Sequence, residues 1–189
     1  MVVTKVVCMA TRGSARITQQ RQQQHEARWQ PPDADYLKCN VDVALFAEQR
    51  RFGIGMCIRN HYGHFIKALT KWYDGVPPPS EAEALGLRDA ILWLGQLELS
   101  RVQIELDCKL VVDSIVDRTN NQSEFGNIIF ACRSLLQQFP NFKINFVRRQ
   151  TNYVAHSLAR KSKLYARHHQ GRLLIELRGS YGYQKKKNY

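Results

Sequence analysis

Two alternating runs with only a short link between them constrain this chain most. Leu37 to Phe46 sets Cys39, Val41, Val43 and Leu45 on one face and Lys38, Asn40, Asp42 and Ala44 on the other, and Phe52 to Arg59 repeats the pattern with Phe52, Ile54, Met56 and Ile58. Alternation over such a length is the mark of a strand. The intervening residues are too few for a crossover connection, so the two runs pair antiparallel. His61, Tyr62 and Gly63 then supply a turn, and His64 to Trp72 offers a third strand carrying Phe65, Ile66 and Leu69.

Helical patterns follow this meander. Pro77, Pro78 and Pro79 stop the sheet, and Ser80 with Glu83 three residues on has the form of a capping box opening a helix to about Leu97. Arg101 to Asp107 alternates again. A helix from about Leu110 to Val116, a polar break, a helix from about Glu124 to Gln138 and a strand from Lys143 to Val147 come next. Asn152 is placed to cap a final helix bearing Val154, Ala155, Leu158 and Ala159. The order predicts a mixed α/β fold: a five-stranded mixed sheet, three antiparallel strands and then parallel crossovers, flanked by helices.

At 189 residues the chain holds one ordinary domain plus tails, which excludes a large multidomain enzyme. No apolar run approaches the roughly 20 residues that cross a bilayer, and Val6 to Ala10 is too short for the core of a secretory leader. The expectation is a soluble, intracellular monomer with no membrane partner. Five widely spaced cysteines form no Cys-x-x-Cys pair and read as free thiols. The net charge of +12 is unevenly spread, since residues 30–159 carry fourteen basic and fourteen acidic groups. The excess therefore falls in the terminal segments. The chain divides into a basic, Gln-rich flexible arm over 1–29, a domain over 30–168 and a basic tail over 169–189. Such tails either hold a polyanion through its phosphates or are merely solvated.

Three acids stand where a purely structural role is uncomfortable. Asp42 lies inside a strand, where aspartate is depleted. Asp107 ends the fourth strand, where mixed sheets gather their chemistry, although capping of the next helix would also account for it. Glu83 shares a helix face with Leu87, Ala90, Ile91 and Leu94, all within about 80° of it, whereas Glu81 points away. Convergent carboxylates repel one another unless a cation lies between them. Hard oxygen ligands suit magnesium or manganese, and two such ions can stabilise the attacking and leaving oxygens of a phosphodiester. From the residues alone, this is one reading among several.

Five motifs in order narrow it: KCNVD at 38–42 with Trp29 and Pro31-Pro32 ahead, GIGMCIRNHYG at 53–63, AEALGLRDAI at 82–91, IELDCKLVV at 104–112 and FVRRQTNYVAHSLAR at 146–160. Together they resemble the ribonuclease H type 1 domain, most closely its plant branch related to non-LTR retrotransposon reverse transcriptases. The resemblance implies binding of RNA–DNA hybrid and two-ion, Mg2+- or Mn2+-dependent hydrolysis of the RNA strand, with Asp42, Glu83 and Asp107 as catalytic metal ligands. It places Arg148, Arg149 and Asn152 at the nucleic acid. Many members carry a fourth acid where this chain has His156, which therefore joins the catalytic group as a weaker substitute. That departure supports a second reading, a domesticated nucleic-acid-binding module without efficient catalysis. Lys185 to Lys187 has the form of a short nuclear address, and the acid-poor arm has the composition of an organelle transit peptide; both addresses stay open.

Overall fold

The alternating runs become the antiparallel meander that their short links require. In the computed structural model, which describes residues 28–117, 122–165 and 172–176, β1 (Leu37–Phe46), β2 (Arg51–Arg59) and β3 (Phe65–Asp74) pair in succession, with Asp42 opposite Gly55. At the β2–β3 turn the Asn60 side-chain oxygen accepts from the backbone N–H groups of Tyr62 and His64. Gly63 sits there at φ 80°, a conformation that glycine adopts without a steric cost. Residues 1–27 of the arm, with Cys8, lie outside the described residues, as do the middle of the polar break and the tail beyond Glu176, with Lys185 to Lys187.

After the meander come α1 (Pro79–Gln96), β4 (Val102–Leu106), α2 (Lys109–Val116), α3 (Glu124–Leu136), β5 (Phe142–Phe146) and α4 (Tyr153–Tyr165). β4 pairs parallel with β1, and β5 parallel with β4. The first and fourth strands are thus interior neighbours, and the crossover connections account for their parallel sense. One strand more than expected joins the sheet: β6 (Arg172–Glu176) pairs antiparallel with β3, giving the order β5-β4-β1-β2-β3-β6. The boundary expected at residue 168 is therefore too early. The short run Leu173-Leu174-Ile175 is a strand that the surrounding basic residues obscure in the sequence.

Two helix starts also differ from expectation. Pro79 occupies the first position of α1, where its fixed φ is already helical, with Pro78 as N-cap and no side-chain cap bond. Ser80 falls inside the helix and the Ser80–Glu83 capping box does not form. Asn152 ends a 3-10 turn (Arg149–Asn152) and caps nothing; its side-chain nitrogen donates to the carbonyl of Val41 at 2.7 Å.

Both faces of the sheet are covered. Cys39 and Val41 of β1 join Leu87, Ile91 and Leu94 of α1 and Ile129 of α3 in one apolar core. On the other face, α4 packs through Ala155, Ala159 and Ser162, all fully buried. It approaches β2 so closely that a Cβ at Gly55 would stand 2.3 Å from both the Ala155 carbonyl oxygen and the Ala159 nitrogen, and one at Gly53 would be 2.8 Å from the Ala159 carbonyl oxygen. At Gly86 the nearest obstacle is instead the Val43 Cγ2, at 2.8 Å, the end of a side chain that can turn. Gly55→Ala should therefore cost about 3 kcal/mol, the upper end for overpacking, and Gly86→Ala distinctly less. Urea unfolding midpoints of the two variants measure the difference.

Candidate metal centre and active site

β1 and β4 run parallel with Val41 level with Leu106, so Asp42 and Asp107 are the next residues along each strand. Asp42 stands opposite Gly55, on the sheet face that α4 covers, and its side chain is only 4% exposed. Asp107 precedes the N-cap residue Cys108 of α2, so the capping role open to it is not used. Glu83 enters from α1, one turn beyond its proline start. Each of the three carboxylates offers an oxygen, and these oxygens lie within 4.8 Å of one another. Glu81, as its helical angle requires, is not in the group.

Bringing three acids together has a measurable electrostatic cost. Burial, with the Asp42 and Asp107 carboxylates adding to it and Arg149 opposing, pushes Glu83 up to about 9. Burial also pushes Asp42 up to about 6, opposed by the hydrogen bond from His156 and reinforced by Asp107. Oε2 of Glu83 is buried without a hydrogen-bond partner, an arrangement that proteins rarely leave in place without a use. A hard divalent cation answers all of these features at once: it takes oxygen ligands, neutralises the repulsion and gives the orphaned oxygen a partner.

The remaining expected residues are placed unequally. His156 is at the site but outside the acid cluster, its Nδ1 2.8 Å from Oδ2 of Asp42. Arg149 is exposed and its Nη2 lies 3.4 Å from both ring nitrogens of His156. Arg148 is exposed, and its carbonyl accepts from Thr151. Asn152 was expected at the nucleic acid but is fully buried as a tie to β1; a carboxamide that fills a backbone acceptor inside the sheet has no surface to offer.

A cavity of about 360 Å³ adjoins the acids, lined by residues 43–46 at the end of β1, by Pro79, Ala82 and Glu83 of α1, and by Arg149, His156, Arg160 and Lys163. Arg160 and Lys163 were missed in the sequence, although the spacing of 156, 160 and 163 is a single helical face. A buried polar layer was missed as well. Lys38 pairs with Glu105 at 2.5 Å, the Asn40 side-chain nitrogen donates to Glu105 at 2.8 Å, and the Trp29 indole N–H donates to Asn40 at 3.0 Å. Lys38 also donates to the carbonyl of Gln30, and the Arg59 guanidinium lies 4.7 Å above the Trp29 ring. On the far side of the sheet Asp89 is buried with Lys71 and the Tyr73 hydroxyl as partners. The described cysteines are free thiols, as expected.

The sequence profile of the family described as "Reverse transcriptase-like" matches residues 40–162. Among solved structures, the fold resembles RNase H1 from the halophilic archaeon Halobacterium salinarum NRC-1 at 19% identity and a TM-score of 0.61, covering 67% of this chain and 96% of that one. It also resembles the N-terminal RNase H domain of a Mycobacterium tuberculosis protein, at 19% identity and a TM-score of 0.60 over 70% of this chain and 96% of that one. A third similar structure is LC11-RNase H1, an enzyme isolated from compost by a metagenomic approach and solved in complex with RNA/DNA hybrid. It is 17% identical, with a TM-score of 0.60 over 69% of this chain and 98% of that one. No curated protein matches the chain. Among the described residues no helix is long and apolar enough to cross a membrane.

The raised acids set the sign of a pH dependence. Between the ordinary carboxylate range and about 9, the folded chain keeps a proton on Glu83 that the unfolded chain has released. In divalent-free buffer stability should therefore fall as pH rises through that window. Glu83→Gln removes the difference and should stabilise the protein by roughly 1–3 kcal/mol at pH 7, whereas Glu81→Gln should leave the slope intact. Urea titrations from pH 5 to 9 with a chelator present measure it.

Proposed function

Because the chain belongs to the reverse transcriptase-like family, we propose that it is a divalent-metal-dependent endonuclease that hydrolyses the RNA strand of RNA–DNA hybrids. The observation that carries this reading is the convergence of Asp42, Glu83 and Asp107, with one buried oxygen left unpartnered. These three residues would hold magnesium or manganese as a pair of ions, which when bound supply charge neutralisation and Lewis acidity at the phosphodiester. The chain's own groups do the positioning. Arg149 stands beside the acids with Nη2 against the His156 ring, and the rest of its exposed guanidinium can orient a phosphate oxygen. His156 holds Asp42 through its Nδ1, and residues 43–46 form one wall of the cavity beside Glu83. The resemblance to ribonuclease H type 1 implies that cleavage would leave a 3′ hydroxyl. The complex of LC11-RNase H1 with hybrid supports the choice of substrate.

His156 also favours the second reading, a module that binds hybrid without efficient turnover, since an imidazole replaces a carboxylate where magnesium prefers oxygen.

A labelled hybrid incubated with magnesium or manganese separates the two. Asp42→Asn and Asp107→Asn should each lower cleavage about 1,000-fold, or about 4 kcal/mol of transition-state stabilisation, with binding retained. Wild-type rates in both variants would overturn the site. Manganese should support faster cleavage than magnesium, and His156→Asp should raise the magnesium rate. An inactive wild type and an inactive His156→Asp, both binding hybrid tightly, would establish the binding module instead.

A further inference from the structure

Among the described cations, Lys38, Arg51, Lys71, Arg88, Lys109 and Lys143 each sit within ion-pair distance of a carboxylate. Arg160 and Lys163 have no such partner among the described residues, although they are exposed on α4 and line the cavity that adjoins the acids. Lys163 is steadied at the wall by the Phe46 ring, 5.6 Å below its Nζ.

We propose that α4 carries a phosphate track, in which Arg160 and Lys163 grip backbone phosphates of the cut strand on nucleotides next to the scissile one. This rests on the nuclease reading of the acid cluster. Residues 156, 160 and 163 climb one face of the helix in successive turns of about 5.4 Å, a spacing on the scale at which phosphates recur along a strand. A small free anion would engage one of these cations. A ladder that leads away from a site built for a phosphodiester matches a polymer.

The track is also rigid. α4 is seated against the backbone of β2 at Gly53 and Gly55, so its cations are presented at a set distance from Asp42 and the cost of ordering falls on two side chains alone. Arg160 offers a planar fork for phosphate oxygens, and Lys163 offers a point charge.

The test uses the full chain with Asp107→Asn as host, so that a labelled RNA–DNA hybrid stays intact while its affinity is followed against potassium chloride. Arg160→Ala with Lys163→Ala should make the slope of log affinity against log salt shallower by about 1.5, as for the loss of two phosphate contacts. Affinity at low salt should fall at least tenfold. Lys161→Ala, a cation on the same helix outside the cavity, should change neither quantity, and Arg160→Lys should restore part of the slope. All of these positions are exposed, so unfolding midpoints should stay put. An unchanged slope in the double variant, or an equal flattening from Lys161→Ala, would overturn the track. Cleavage assays on the wild type and the acid variants report separately on the reaction: loss of cleavage in Asp42→Asn with an unchanged slope in the double variant sinks the track alone, whereas a flattened slope with no cleavage in any metal sinks the nuclease reading and with it the track beside a scissile bond, leaving Arg160 and Lys163 only as phosphate contacts of a binding module.

Discussion

The backbone contact between α4 and β2 is the constraint on which the site depends. A helix can come that near to a sheet only where the strand presents no side chains, and Gly53 and Gly55 open that space directly beside Asp42. Three consequences follow from one seat. His156 reaches Asp42, Asn152 reaches the carbonyl of Val41, and the outer face of the helix carries its cations along the rim of the cavity. Ala155, Ala159 and Ser162 complete the fit with small side chains of their own. A bulkier strand would lift the helix and move all of these groups together.

Against that rigid frame, the acids work in the opposite sense. Folding forces Asp42, Glu83 and Asp107 into a space where desolvation, with mutual repulsion added to it, raises Asp42 and Glu83 above their ordinary range. A region that weakens its own fold in this way marks a binding or reaction site more strongly than the acids do individually. The stability needed to hold them comes from the continuous apolar core on the α1 side of the sheet.

Much of this was legible in the residues. Period-two alternation and link lengths defined the meander, and the helical crossovers fixed the later strands as parallel. Glu83 was separable from Glu81 by helical angle alone. What escaped shares a cause, since local pattern cannot say which distant residue supplies a partner. Asn152 has a capping residue's identity, yet its amide is used across the sheet. Ser80 and Glu83 have the spacing of a capping box, but a proline already started the helix. Counting charge by segment assigned Arg160 and Lys163 to a basic terminus, because a tally along the chain does not see that they stand on the helix that closes the active-site face.

The layer built on Trp29 bears on where this domain begins as a physical object. The match to the family profile starts at residue 40, yet Asn40 accepts from the Trp29 indole, and the Lys38 ammonium is shared between Glu105 and the carbonyl of Gln30. A fragment cut at the limit of that match would lose most of β1 before Asp42 along with Trp29 and Lys38, leaving the Glu105 carboxylate buried without its counterion. The smallest piece that can be moved between hosts, or joined to another module, therefore starts no later than Trp29.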